Sequence, residues 1–201
     1  MVITAEQVRS LREQTGAGIM DCKKALAESG ADLEKAVTFL REKGLAAAKK
    51  KAGRATSEGL VTSYIHAGGK VGVMVEINCE TDFVAKTDDF QAFTKNVAMH
   101  IAAANPGYLT RDEVPTGDIE KEQEILANQA KESGKPEAVI ARIVEGKMEK
   151  HFKENCLMEQ PFIKDTDKTI EDLLKEAIAK LGENIQIKRF VRFSIGDTSE
   201  G

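Results

Sequence analysis

Apolar residues in this chain recur at helical spacing as far as Gly44, alternate from Leu60 to Cys79, and return to helical spacing from Phe90. A helix shows one apolar stripe at a period of about 3.6 residues and a half-buried strand one face at a period of two, so the chain must change element type at least twice. Helices, then strands, then helices and a closing strand imply an α+β fold around a small antiparallel sheet.

Thr4 and Gln7 form a capping-box pattern with Val8 and Leu11 following, which predicts a helix from about Ala5 to Gln14, interrupted by Gly16 and Gly18. A second helix from about Met20 carries Cys22, Ala25 and Leu26 on one face until Gly30 supplies a left-handed stop. A third begins at Asp32, aligns Leu33, Ala36, Val37 and Leu40, and ends at Gly44. Residues 1–45 are therefore a three-helix module. Residues 46–58, small and basic with no apolar period, read as a linker whose first few residues can prolong the helix.

Residues 59–201 form the second domain. Val61 and Ile65, a turn at Ala67, Gly68, Gly69 and Lys70, and then Val71, Val73, Val75, Ile77 and Cys79 predict a β-hairpin with one buried face. Phe90, Phe93, Val97 and Ile101 define a helix behind an Asp88-to-Gln91 capping pattern, stopped by Asn105, Pro106 and Gly107. Two long helices follow, from about Ile119 to Ser133 and from Pro136 to about Asn155. Their short connection, Gly134 and Lys135, makes them an antiparallel helical hairpin within about residues 110–156. Thr169 opens a last helix closed at Gly182. Ile185, Ile187, Val191, Phe193 and Ile195 then alternate as a strand that joins the hairpin in a three-stranded antiparallel sheet.

At 201 residues and 41% hydrophobic content the chain can bury a real core. Its 29 basic side chains nearly balance 33 acidic ones, for a net charge of -4, which argues against a broad nucleic-acid-binding surface. The run Lys49, Lys50, Lys51 and Arg54 has no interleaved aromatics to stack on bases and reads as solvated. No apolar stretch is long enough to span a membrane. The amino terminus has neither a basic n-region nor an apolar h-region, so a cytoplasmic protein, or the mature form of an organelle-matrix protein, is expected.

Phosphate-cradling glycine loops, nucleophile elbows and zinc-binding helix motifs are all absent from the sequence. Cys22, Cys79 and Cys156 lack metal-ligand spacing and are expected to be reduced, buried thiols; an enzyme using Cys79 or Cys156 as nucleophile would have no base signature nearby. His100 and His151 fall in helices and read as structural. His66 ends a strand just before the turn, where it is either a solvated turn residue or a contact residue.

The alternation breaks at NCETDFVAK, residues 78–86. Thr81 and Asp82 can cap the next turn, but Phe83 puts a large ring at an element boundary where a polar residue would be safer. Either Phe83 is an exposed wedge or it folds back onto the helix containing Phe90. Gly16, Ala17, Gly18, Ile19 and Met20 pose a similar choice between a partner contact and an internal packing corner.

LREQTGAGIMDCKKAL at 11–26 resembles the amino-terminal signature of the elongation factor Ts family, and CETDFVAK at 79–86 resembles that family's core motif. GKPEAVIARIVEGKM and QPFIKD follow in the order the family shows, so the resemblance covers nearly the whole chain. It implies a module similar to ubiquitin-associated domains, a core with a three-stranded sheet, and a protruding helical hairpin. It also implies a guanine-nucleotide exchange factor, with no covalent chemistry and no cofactor of its own, whose partner is the GTPase elongation factor Tu, without direct nucleic-acid or membrane binding. Thr81, Asp82, Phe83 and Val84 correspond to the segment that enters beside the GTPase's magnesium and phosphate site, which favours the wedge. Leu11, Arg12, Ile19 and Met20 correspond to contacts with its nucleotide-binding domain. His66 lies where two-core members place a contact histidine. One TDFVAK and one hairpin match the short form, in which homodimerisation would supply the second core and give a 2:2 complex. The rival reading is a ubiquitin-associated-type adaptor whose helical head binds another protein.

Overall fold

The computed structural model describes residues 3–132 and 136–196. Helix α1 spans Ala5–Thr15 behind a complete capping box: the Thr4 hydroxyl accepts from Gln7 N–H while the Gln7 side chain accepts from Thr4 N–H. Gly16 closes it in the left-handed region at φ 65°. Helices α2 (Ile19–Glu28) and α3 (Leu33–Lys51) follow, with Asp32 capping α3 through Lys35 N–H. Leu11, Cys22, Ala25, Leu26 and Ala36 are buried together as the core of this three-helix unit, with Val8, Val37 and Leu40 packed against it.

Helix α3 does not stop at Gly44, and 46–51, expected as the start of a linker, is helical. Three alanines and then three lysines are strong helix formers that outweigh one glycine, which costs about 1 kcal/mol. The glycine eases close packing: a Cβ at Gly44 would stand 3.2 Å from the Ala179 side chain, tighter than an ordinary contact.

Strands β1 (Glu58–Ile65) and β2 (Val71–Cys79) make the hairpin; His66 N–H donates to the Val71 carbonyl at 2.9 Å, and Gly68 and Gly69 take the positive φ the turn requires. Helix α4 is a single turn, Asp82–Ala85, and α5 spans Asp88–Ala104. The side chain accepting from the first turn of α5 is that of Thr87, whose hydroxyl takes Phe90 N–H at 3.2 Å, rather than the Asp88 carboxylate expected from the sequence. Helices α6 (Thr116–Lys131) and α7 (Glu137–Asn155) form the helical hairpin; its expected turn at Gly134 and Lys135 lies outside the described residues. A two-stranded ribbon follows, β3 (Pro161–Phe162) with β4 (Asp165–Thr169), which the sequence did not signal because DTDKT has no apolar alternation. Helix α8 (Ile170–Leu181) leads to β5 (Ile185–Ser194). The sheet has the order β1-β2-β5, and Ile195 N–H donates to the Lys70 carbonyl at 2.9 Å, as an antiparallel β2–β5 pairing requires.

The chain divides into two compact units, each discontinuous in sequence. One comprises Met1–Thr62, Glu76–Lys95 and Asp172–Lys188, and buries Ile77, Phe90, Ile178 and Ile185 besides the helical-module core. Within it, Arg41 pairs with Asp172 at 3.4 Å and Lys180 with Asp89 at 2.7 Å. The other comprises Ser63–Val75, Asn96–Glu171 and Arg189–Gly201, and buries Val73, Val97, Ile101, Leu157 and Ile170. In that unit Arg111 grips Glu149 with two parallel bonds of 2.7 Å, also binds Glu159, and lies 4.6 Å over the Phe152 ring, fastening α7 at its base.

Candidate partner-binding site

Strand β2 ends at the wholly buried Cys79, and two residues later the chain turns into α4. Thr81 is the N-cap: its hydroxyl accepts from Val84 N–H at 3.4 Å and donates to Glu183 Oε1 at 2.6 Å. Glu183 Oε2 accepts two backbone bonds, from Glu80 N–H at 3.1 Å and Thr81 N–H at 3.0 Å. The clasp is reciprocal, since Glu80 Oε1 accepts from Asn184 N–H at 2.6 Å. Asn184 is itself buried and fixed by donating to the Arg54 carbonyl at 2.7 Å. The Cys79 thiol donates to the Thr81 carbonyl at 3.2 Å, completing a polar frame beneath the turn.

On this frame Phe83 is 79% exposed, whereas Phe90 is fully buried. The ring does not fold back onto α5, so of the two readings left open by the sequence the exposed one describes it. Ala85 is the residue of α4 that faces inward, and Val84 is half-buried. Asp82 is half-buried and bonds the exposed Lys86 at 2.6 Å; that bond holds the Asp82 carboxyl below its ordinary range and raises the lysine. The segment thus presents one large apolar group beside a compact ion pair.

In the helical module the named residues divide. Ile19 and Met20, in the first turn of α2, are 55% and 76% exposed, and Arg12, in the last turn of α1, is exposed too. Leu11 is wholly buried in the module's core, so its side chain supports this surface from beneath. The amphipathic spacing of α1 signalled that burial, because Leu11 is on the stripe begun by Val8. His66 is exposed on the hairpin turn, its Nδ1 3.2 Å from the Tyr64 hydroxyl.

Glu183 and Asn184 were missed by sequence reasoning. They stand about a hundred positions from Thr81, and only their place just after the Gly182 helix stop marked them. Cys22, Cys79 and Cys156 are free and buried, and burial pushes each thiol up, which makes a thiolate nucleophile unfavourable. His100 is buried with Gln160, and His151 lies 3.9 Å from Glu122. Among the described residues, no group of three or more histidine, cysteine, aspartate or glutamate side chains is placed to hold a metal ion, and no helix is long and apolar enough to cross a membrane.

The chain matches the family model described as elongation factor TS over residues 5–197. It is 62% identical over 199 residues to the elongation factor Ts of Thermoanaerobacter sp. (strain X514), covering 99% of this chain and 98% of that protein. It is similar to the proteins of the same name from Heliobacterium modesticaldum, 61% over 196 residues with 98% and 91% covered, and from Geobacter sulfurreducens, 60% over 200 residues with 100% and 93% covered.

Proposed function

This chain belongs to the elongation factor Ts family and is a translation elongation factor; from that premise we propose that it binds elongation factor Tu·GDP and promotes GDP release, allowing GTP to rebind. The observation that carries the reading is Phe83, an exposed ring on a turn whose backbone is already fixed by Glu183. A turn whose backbone is fixed before docking spends little of the ring's burial energy on ordering that backbone.

The exchange is a linkage effect. If the factor binds the empty GTPase more tightly than the GDP-bound form, GDP must bind the factor-bound GTPase more weakly by the same ratio. GDP is held by a phosphate-cradling loop and a magnesium ion, so a small displacement of either forfeits charge-assisted contacts. Burying the Phe83 ring supplies about 1.5–3 kcal/mol toward that displacement, with Asp82 disturbing the polar network and Thr81 and Val84 fixing the turn. Arg12, Ile19 and Met20 anchor the complex from the helical module, and His66 adds a contact from the hairpin turn. No step forms or breaks a covalent bond, so the protein is an exchange factor with no cofactor requirement.

In this reading residues 1–45 are the docking module and 59–201 the dimerisation and exchange core. Ile65, Met74, Val191 and Phe193 leave the outward side of their strands apolar and exposed, and Ile195, just past β5, is exposed too. A second copy covering that face would give a homodimer and a 2:2 complex. The working compartment is the cytoplasm.

Stopped-flow release of a fluorescent GDP from elongation factor Tu tests the proposal. Acceleration by this protein is the expected result. No acceleration, together with binding to ubiquitin, would instead support the adaptor reading.

A further inference from the structure

We propose that Glu183 is a positioning residue for exchange: by clasping Glu80 and Thr81 it makes the turn that carries Phe83 stiff enough to deform a partner. The inference rests on the exchange reading above and deepens it. Its ground is geometric. One carboxylate accepts from two successive backbone N–H groups at 3.1 and 3.0 Å and from the Thr81 hydroxyl at 2.6 Å. That same hydroxyl caps α4 by accepting from Val84 N–H. Glu183 therefore holds both the entry to α4 and the cap that defines it, and Phe83 is the second residue of that helix.

A four-residue helix has no stability of its own, because its formation fixes several dihedrals for very few hydrogen bonds. Without the clasp, pressure on the exposed ring would be relieved by unwinding α4 rather than by moving the partner's atoms. Mutual contact surfaces elsewhere would still hold the two proteins together. The clasp thus separates two quantities: the affinity of the complex depends on the whole docking surface, and the rate of GDP release within it depends on how rigidly the ring is presented.

Among the described residues, the hydrogen bonds of Glu183 all go to the segment that enters α4. Its partners are the Glu80 and Thr81 groups, while the neighbouring Asn184 ties the same strand end to the Arg54 carbonyl at 2.7 Å. The two adjacent residues after α8 thus fasten the turn from one side, and the Cys79 thiol, donating to the Thr81 carbonyl, fastens it from within β2.

The test is GDP release from elongation factor Tu over a range of factor concentrations, for the full chain and for Glu183→Gln. The substitution keeps the size, removes the charge and turns one of the two accepting oxygens into an NH2 donor, so the hydroxyl bond and the pair of backbone bonds cannot all be kept at full strength. The expected result is a plateau release rate lowered about tenfold, with the half-saturating concentration within about twofold of wild type and the folded state intact by circular dichroism. A purely structural role would not give this split. Thr81→Val provides the second variant, for cases where Glu183→Gln fails to fold. It removes the hydroxyl while leaving both backbone bonds to the carboxylate, and it too should lower the plateau with half-saturation held. An unchanged plateau in a folded variant overturns the proposal, as does a rise in half-saturating concentration that accounts for the entire loss. Failure of wild type itself to accelerate release marks the different case in which the exchange reading is wrong.

Discussion

Phe83 leaves 79% of its surface to solvent, whereas Phe90, in the first turn of the next helix, leaves 0%. The two rings are close in sequence and opposite in role: one fills the core and the other is held out by a turn. Their truncation should separate accordingly. Phe90→Ala is expected to cost about 3–5 kcal/mol, and Phe83→Ala to stay within about 0.5 kcal/mol of wild type, both read from urea unfolding midpoints.

Gly59 meets a stricter limit. Its φ is 148°, and a Cβ there would stand 2.3 Å from the Ile77 carbonyl oxygen across the β1–β2 pair. Gly59→Ala must push the strands apart or shift the backbone, and should destabilise by about 2–3 kcal/mol in the same unfolding measurement. Alanine at Gly68, where nothing lies within 4 Å of the added carbon, meets only the cost of its positive φ of 92°.

The sequence made most of this architecture readable because the elements that matter announce themselves by period. Thr4 with Gln7 and the left-handed Gly30 were legible as caps, and the alternation from Val71 to Cys79 as a strand. Gly44 misled because a glycine that ends a helix and one that admits a neighbouring helix look alike without knowledge of Ala179. The exposure of Phe83 depends on where a single turn points, which periodicity does not encode, and the Glu183 clasp depends on a contact between distant segments. Leu11, in turn, shows how a surface motif can include a core residue.

That last point is open to measurement. Leu11→Ala should destabilise the helical module by about 2–5 kcal/mol, while Met20→Ala should leave stability within about 0.5 kcal/mol. If both residues were contact residues only, thermal unfolding would not distinguish them.

His100 gives the fold a specific acid sensitivity. Ile163 N–H donates to its Nδ1 at 3.4 Å, so the ring's proton is on Nε2 and is donated to Gln160 Oε1 at 2.9 Å. Gln160 keeps that orientation by donating from Nε2 to the Glu154 carbonyl at 2.6 Å. Burial lowers the histidine's pKa below the ordinary 6.5, so the unfolded chain takes up a proton before the folded one does. Stability should therefore be unaffected by this group well above that pH and fall as pH drops below about 6.5, by up to about 1.4 kcal/mol per unit until the folded ring protonates. The check is urea unfolding at about pH 7.5 and about pH 5.5: His100→Gln should be less stable at the higher pH yet lose less between the two.

The proposed driver of nucleotide exchange is an exposed ring on a fixed turn. Its most direct test is stopped-flow release of a fluorescent GDP from elongation factor Tu with wild type and with Phe83→Ala, at concentrations that saturate the complex. Loss of the ring's burial energy, about 1.5–3 kcal/mol, predicts a release rate about ten- to a hundredfold lower for a variant that still binds. A variant that releases GDP as fast as wild type would contradict the claim.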